Sequence, residues 1–167
     1  MKKTWTILGI DPGTHTTGYG IIKTDAHTNV VVDYGYIRLP RALSLYERYP
    51  IIYQSIKHLL TTFPSIDAVS IESQFVSKNA QSTLKLGMAK GVAILAAAEQ
   101  KISIYEYTPK KAKLAVAGRG SASKDYVRRM VPLVLQIETL LTSEDVADAL
   151  ALAICHAHHI KIAGQGV

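Results

Sequence analysis

The 167-residue chain is predicted to fold as one α/β domain, and three observations carry that prediction. Short β-rich runs alternate with longer stretches of helical periodicity, the pattern of a sheet covered by helices. The length suits a single core of ordinary size. No linker, internal repeat or low-complexity tract interrupts residues 1–167, so the whole chain reads as one unit, with a frayed tail expected at 163–167.

The first run is the most informative. Ile7-Leu8-Gly9-Ile10-Asp11 and Tyr19-Gly20-Ile21-Ile22 flank a segment of Pro, Gly and Thr, which reads as two antiparallel strands joined by a turn. Asp11 ends an apolar strand, although aspartate is depleted in strands and rarely buried unless paired. Two readings stand side by side. Asp11 opens the turn and bonds the backbone two residues on, or it is a metal or phosphate ligand at a strand end, with Gly13 and Gly18 letting the ligand approach the backbone.

The remaining elements follow in order. Asn29–Arg38 is a third strand, rich in β-branched and aromatic residues. Leu45, Tyr49, Ile52, Ile56, Leu59 and Phe63 recur at steps of three and four, one face of a helix that Pro50 should kink or open. Ala68–Glu72 is a short buried strand that also ends in a carboxylate. The loop from Ser73 to Asn79 carries Phe75 and Lys78, and an Ala/Leu-rich helix spans 80–100, with Gly87 and Gly91 on one face. Ile102–Tyr107 is a fifth strand. Thr108-Pro109 opens a helix, Ser123 caps another from Lys124 to Leu135, and the last helix starts near Thr142 and runs towards His159.

Composition bounds the class. Hydrophobic residues make up 48% of the chain, yet no apolar run reaches membrane length, so a soluble protein with no membrane role is expected. The basic N-terminus lacks the apolar core of a signal peptide. One cysteine, Cys155, excludes an intrachain disulfide and points to a reducing cytoplasm; its Ala/Leu/Ile surroundings mark it as a small buried hydrophobe. Residues 78–129 hold 11 Lys/Arg against 3 acids, a balance of +8 within a total of +6. A basic segment beside candidate carboxylates points to a polyanion held near a cation site.

Four carboxylates occupy positions that a core normally avoids: Asp11 and Glu72 at strand ends, Asp145 and Asp148 three apart on the last helix. Together they would not stay ionised without a cation, and hard oxygen donors suit Mg²⁺ or Mn²⁺. Two such ions about 3.5–4 Å apart activate water and stabilise a leaving oxygen in phosphodiester cleavage. A capping role for Asp145 in Thr142-Ser143-Glu144-Asp145 is the alternative. His156, His158 and His159 form a second cluster. His156 lies about 12 Å along the helix from Asp148, too far to share its metal, so the histidines read as cations favoured at a helix C-terminus.

Four blocks in order, ILGIDPGTHTTGYGII, IESQFVSKNAQSTLKLGMAKGVAILAA, YEYTPKKAKLAVAGRGSASKDYV and DVADALALAICHAH, resemble the RuvC family of Holliday-junction resolvases over nearly the whole chain. The resemblance implies a ribonuclease-H-like fold, a five-stranded mixed sheet flanked by helices. It also implies a homodimer, here expected to form through the 80–100 helix. Such a dimer would cut two opposed strands of a four-way DNA junction with Mg²⁺, expected at two ions per site and replaceable by Mn²⁺, in recombination and repair alongside the RuvA–RuvB branch-migration complex. By position it makes Asp11, Glu72, Asp145 and Asp148 the catalytic, metal-holding carboxylates. Phe75 matches the base-stacking aromatic, and Lys113 and Lys124 match the DNA-contacting lysines; Lys78 is read as a further phosphate contact. Some members have His where Asp145 stands. Three rivals remain: an actin-like ATPase, from the Asp11–Thr14 phosphate-loop pattern; a nuclease of the same fold for RNA–DNA hybrids; and a purely structural DNA-binding module.

Overall fold

The computed structural model describes residues 4–25, 27–73 and 79–164. Three strands, β1 (Trp5–Asp11), β2 (Thr16–Thr24) and β3 (Asn29–Arg38), form an antiparallel meander. Strands β4 (Ala68–Glu72) and β5 (Ser103–Tyr107) add in parallel beyond β1, giving a mixed sheet ordered β3-β2-β1-β4-β5. The parallel pairs need crossovers, which helices supply. α1 (Leu45–Thr62) and α2 (Ala80–Glu99) cover one face; α3 (Pro109–Ala117), α4 (Lys124–Leu135) and α5 (Glu144–Gly164) cover the other.

Side-chain alternation along the central strand sorts the two cores. Leu8 and Ile10 pack with Tyr49, Ile52 and Ile56 of α1, whereas Ile7 packs with Leu150 and Ile154 of α5. All of these except Tyr49 are fully buried, at about 1.5–3 kcal/mol per aliphatic side chain. α5 lies close to the sheet because glycines of β1 and β2 stand beneath its N-terminal half. A Cβ on Gly9 would stand 1.9 Å from the Ala149 carbonyl oxygen, and one on Gly18 would stand 2.0 Å from that of Asp145. Ser70 of β4 fastens the middle of the helix, its Oγ donating to the Leu152 carbonyl at 2.7 Å. Gly18 therefore admits a helix, not the ligand that the sequence suggested.

Helix boundaries depart from expectation in two places. α1 begins at Leu45 under a full Ser44–Glu47 capping box, so Pro50 lies inside a helix that the cap has already started. α5 begins at Glu144, its Val146 N–H donating to Ser143 Oγ, and it extends to Gly164. Ala163 and Gly164 thus continue the helix, where the sequence predicts a frayed tail. No helix among the described residues is long and apolar enough to cross a membrane.

Candidate active site at the carboxyl ends of β1 and β4

Because β1 and β4 run parallel with Ile10 opposite Ile71, their final residues Asp11 and Glu72 emerge side by side at one edge of the sheet. α5 brings its first turns to the same edge, held down over Gly18. Asp11, Glu72 and Asp148 then line one groove with Lys113 of α3 and Lys124 of α4, and Val127 and Leu152 line it too. Asp145 stands outside this groove. Its charge is nonetheless felt at Asp11.

The electrostatics follow from this crowding. Asp11 is held well above the usual carboxylate range, first by burial and then by the charges of Asp148, Glu72 and Asp145. Glu72 is pushed up by burial and by Asp148, against the pull of Lys124, Lys113 and Lys90. Asp148 and Asp145 are raised too, in both cases chiefly by burial and with Lys124 opposing. Lys124 is the cation among these acids: its Nζ lies 3.3 Å from Asp148 Oδ2 and 3.8 Å from Glu144 Oε2. Burial lowers its own pKa, but Asp148, Asp11 and Glu144 outweigh that and raise it. Glu144 is more than half exposed and turns towards Lys124. Ser143 supplies the helix cap, which removes the capping alternative for Asp145.

Such a donor set fits a hard divalent cation, since every donor is a carboxylate oxygen and an ammonium already sits among them. Among the described residues no three His, Cys, Asp or Glu side chains close around a single point. Asp148 is instead engaged with Lys124.

The sequence-predicted residues separate into three groups. Asp11, Glu72, Asp148, Lys113 and Lys124 come together, with Asp145 at their margin. Phe75 and Lys78 lie outside the described residues. The reading of His156 requires correction. His156 is 1% exposed and two turns short of the helix end; its Nδ1 lies 2.8 Å from the Tyr107 hydroxyl and its ring stacks on Tyr105. Burial, with a smaller push from His159, drops its pKa to about 4, so it is a neutral core residue and not a helix-end cation. Cys155 is buried as expected, its thiol pushed up by burial to about 11.

Two residues escaped the sequence reading. Lys90 of α2 is buried and ion-paired to Glu106, and its charge reaches Glu72. Arg48 of α1 is also buried, donating to the carbonyls of Thr14, Arg41 and Leu43 at 2.8–2.9 Å and meeting His15 Nδ1 at 3.2 Å. It clamps the turn that follows Asp11. A charged residue on the apolar face of each helix was the available signal.

Comparison with known proteins bears directly on this site. The family profile described as Crossover junction endodeoxyribonuclease RuvC matches residues 7–156. A protein of that name from Protochlamydia amoebophila is 54% identical over 151 residues, 90% of this chain and 89% of its own length. Its namesake from Chlamydia felis is 50% identical over 155 residues, covering 91% and 92% respectively. Among solved structures, T. thermophilus RuvC in complex with Holliday junction substrate superposes with a TM-score of 0.83 at 26% identity, over 95% of this chain and 96% of that one.

Proposed function

The chain belongs to the RuvC family of crossover junction endodeoxyribonucleases, and from that premise we propose how its own residues resolve a four-way DNA junction. The observation that carries the reading is the convergence of acids from β1, β4 and α5 on a groove that also holds Lys113 and Lys124. We assign Asp11, Glu72, Asp145 and Asp148 to holding divalent metal, Mg²⁺ at two ions per site with Mn²⁺ as a substitute. Held by these acids, a divalent ion would neutralise their charge and would supply an activated water for attack on phosphorus. The four acids orient that centre from two strand ends and one helix, so their separation is set by the packing of α5 on the sheet. Lys124 and Lys113 line the groove and offset the charge of the scissile phosphate and its neighbours. Phe75 and Lys78 are assigned, by the resemblance, to an unpaired base and a nearby phosphate.

Two opposed strands require two sites, and a twofold dimer supplies them. The surface of α2 supports that arrangement. Leu84, Met88 and Leu95 are 65, 41 and 54% exposed, and the space above Gly87 and Gly91 between them is open. We assign the dimer contact to this face. The chain acts as a single domain in the cytoplasm, with the RuvA–RuvB branch-migration complex as its partner.

The direct test incubates the protein with synthetic four-way junctions and matched duplexes, with and without Mg²⁺. Symmetrical paired nicks in the junction alone, and only with metal, are expected. Equal cutting of RNA–DNA hybrids, or ATP turnover without DNA, would favour one of the rival readings.

A further inference from the structure

We propose that Tyr36 and Arg38, at the exposed end of β3, form a second seat for the junction strand, on the opposite side of the carboxylates from Lys113. The inference rests on the junction-cutting reading and extends it to a surface that the carboxylates and lysines do not include.

Register places the seat. Asp11 pairs with Gly18 and Gly18 with Tyr36, so the three lie in one row across β1, β2 and β3. Directly paired residues face the same side of a sheet. Gly18 faces the start of α5, since a Cβ there would meet Asp145. Tyr36, and Arg38 two residues on, therefore stand on the face that carries the acids. With strands about 4.8 Å apart, the Tyr36 backbone is about 10 Å from that of Asp11. This is about three nucleotides along a strand at 3.4 Å each.

The chemistry at this position suits DNA. Tyr36 is 49% exposed in a strand whose next residue, Ile37, is buried. The Arg38 guanidinium sits over one side of its ring, 5.8 Å from the centroid, with a terminal nitrogen 3.5 Å from the hydroxyl. No carboxylate pairs with Arg38 among the described residues, which leaves its charge for an anion. Tyr36 also lines a groove of about 330 Å³ together with Leu140, itself 73% exposed. An aromatic ring beside a guanidinium gives a base a stacking platform and a backbone phosphate a donor. The strand order puts this seat on one side of β1 and Lys113, on the helix after β5, on the other. A strand crossing the metal site is then held on both flanks.

The test measures binding to a synthetic four-way junction across a salt series without divalent ions, using Arg38→Gln, Tyr36→Ala and Tyr36→Phe. Melting curves establish that each variant folds. Arg38→Gln should reduce the salt slope by about one phosphate contact. Tyr36→Ala should weaken binding about 5- to 150-fold while Tyr36→Phe retains it. In addition, junctions carrying one neutral methylphosphonate at successive positions near the cut should reveal a position that weakens the wild-type protein but has no further effect on Arg38→Gln. If folded variants bind as the wild type does, with an unchanged slope, this surface is overturned while the junction reading stands. If the wild-type protein itself binds no junction, both fall.

Discussion

Helix α5 carries two buried polar regions on one apolar scaffold, and they solve the problem of burying polarity in opposite ways. Near its N-terminus, Asp148 meets Asp11 and Glu72 with Asp145 at their margin, and burial and like-charge repulsion raise all four acids. Two turns on, His156 meets Tyr107 and Tyr105, is kept neutral by burial, and hydrogen-bonds through Nδ1. The first region is unfavourable in isolation, and Lys124 offsets it only in part. The second, its Nε2 aside, is complete without a cation. Like charges left in conflict by a folded protein mark a place for a ligand, whereas neutral dipoles joined to each other mark a structural fastening.

The largest expected effect separates the two regions by chemistry. Asp11→Asn should slow junction cutting at least about 10³-fold, equivalent to about 4 kcal/mol, while leaving junction binding intact. The same change should raise the melting temperature of the metal-free protein. The sign follows from the native pKa of Asp11, which lies above its unfolded value. Its contribution to stability is present in acid and lost as pH rises, so at neutral pH the carboxylate opposes folding. Cutting above a tenth of the normal rate, or a lowered melting point, would break the contrast.

His156→Ala should do the reverse. It removes a fully buried ring and strands the Tyr107 hydroxyl, at a stability cost of about 2–4 kcal/mol. The folded fraction should still cut within about threefold of the normal rate, a difference of under ~0.7 kcal/mol. Chemical denaturation paired with single-turnover cutting checks both halves.

A smaller effect comes from pH. The native pKa of His156 is about 4 against an ordinary 6.5, so the unfolded chain takes up a proton that the native protein refuses. Stability from this residue is present above pH 6.5 and is lost as pH falls towards 4. Between pH 7 and pH 5 the loss is about 2 kcal/mol. The carboxylate cluster moves the other way over its own titration, because protonation relieves repulsion. Denaturation of the wild type and His156→Gln at both pH values should show the gap between them narrowing in acid. A constant gap would mean that His156 titrates normally.

The contrast also explains what the sequence revealed. Asp11 and Glu72 were legible because each ends an apolar strand in a residue type that strands avoid, and Asp145 and Asp148 because they interrupt an apolar helix. The five strands were legible from short β-branched and aromatic runs bounded by turn residues, and the helix through Leu45, Tyr49 and Ile52 from its spacing of three and four. Partnerships across the fold were not. Nothing in the local sequence joins Lys124 to Asp148, Lys90 to Glu106, or Arg48 to the turn after Asp11, since each pair is made by helices packing on a sheet. His156 misled for the same reason. Three histidines near the end of an apparent helix resemble dipole-capping cations, and only the tertiary contacts with β5 show that one of them is core. Gly18 was read as room for a ligand because a backbone approach is visible in sequence but its occupant is not.

The smallest effect tests whether the two regions are as separate as they look. Tyr107 belongs to both: its hydroxyl meets His156, while its backbone pairs in register with Glu72 and its carbonyl accepts from the Ser73 N–H at 2.8 Å. Tyr107→Phe keeps the ring and the backbone and deletes only the hydroxyl. The loss of one buried hydrogen bond should cost about 1 kcal/mol of stability. If the Glu72 end of the sheet is fixed by backbone pairing alone, the Mg²⁺ concentration for half-maximal cutting should stay within about twofold, or ~0.4 kcal/mol. A several-fold rise in that requirement, with no further loss of stability, would show that the Tyr107–His156 bond helps set the spacing of the carboxylates. The neutral end of α5 would then be part of the metal site rather than its structural counterpart. Backbone register argues for the first outcome, because the β4–β5 ladder reaches Glu72 itself whereas the hydroxyl acts on it only through the whole width of Tyr107.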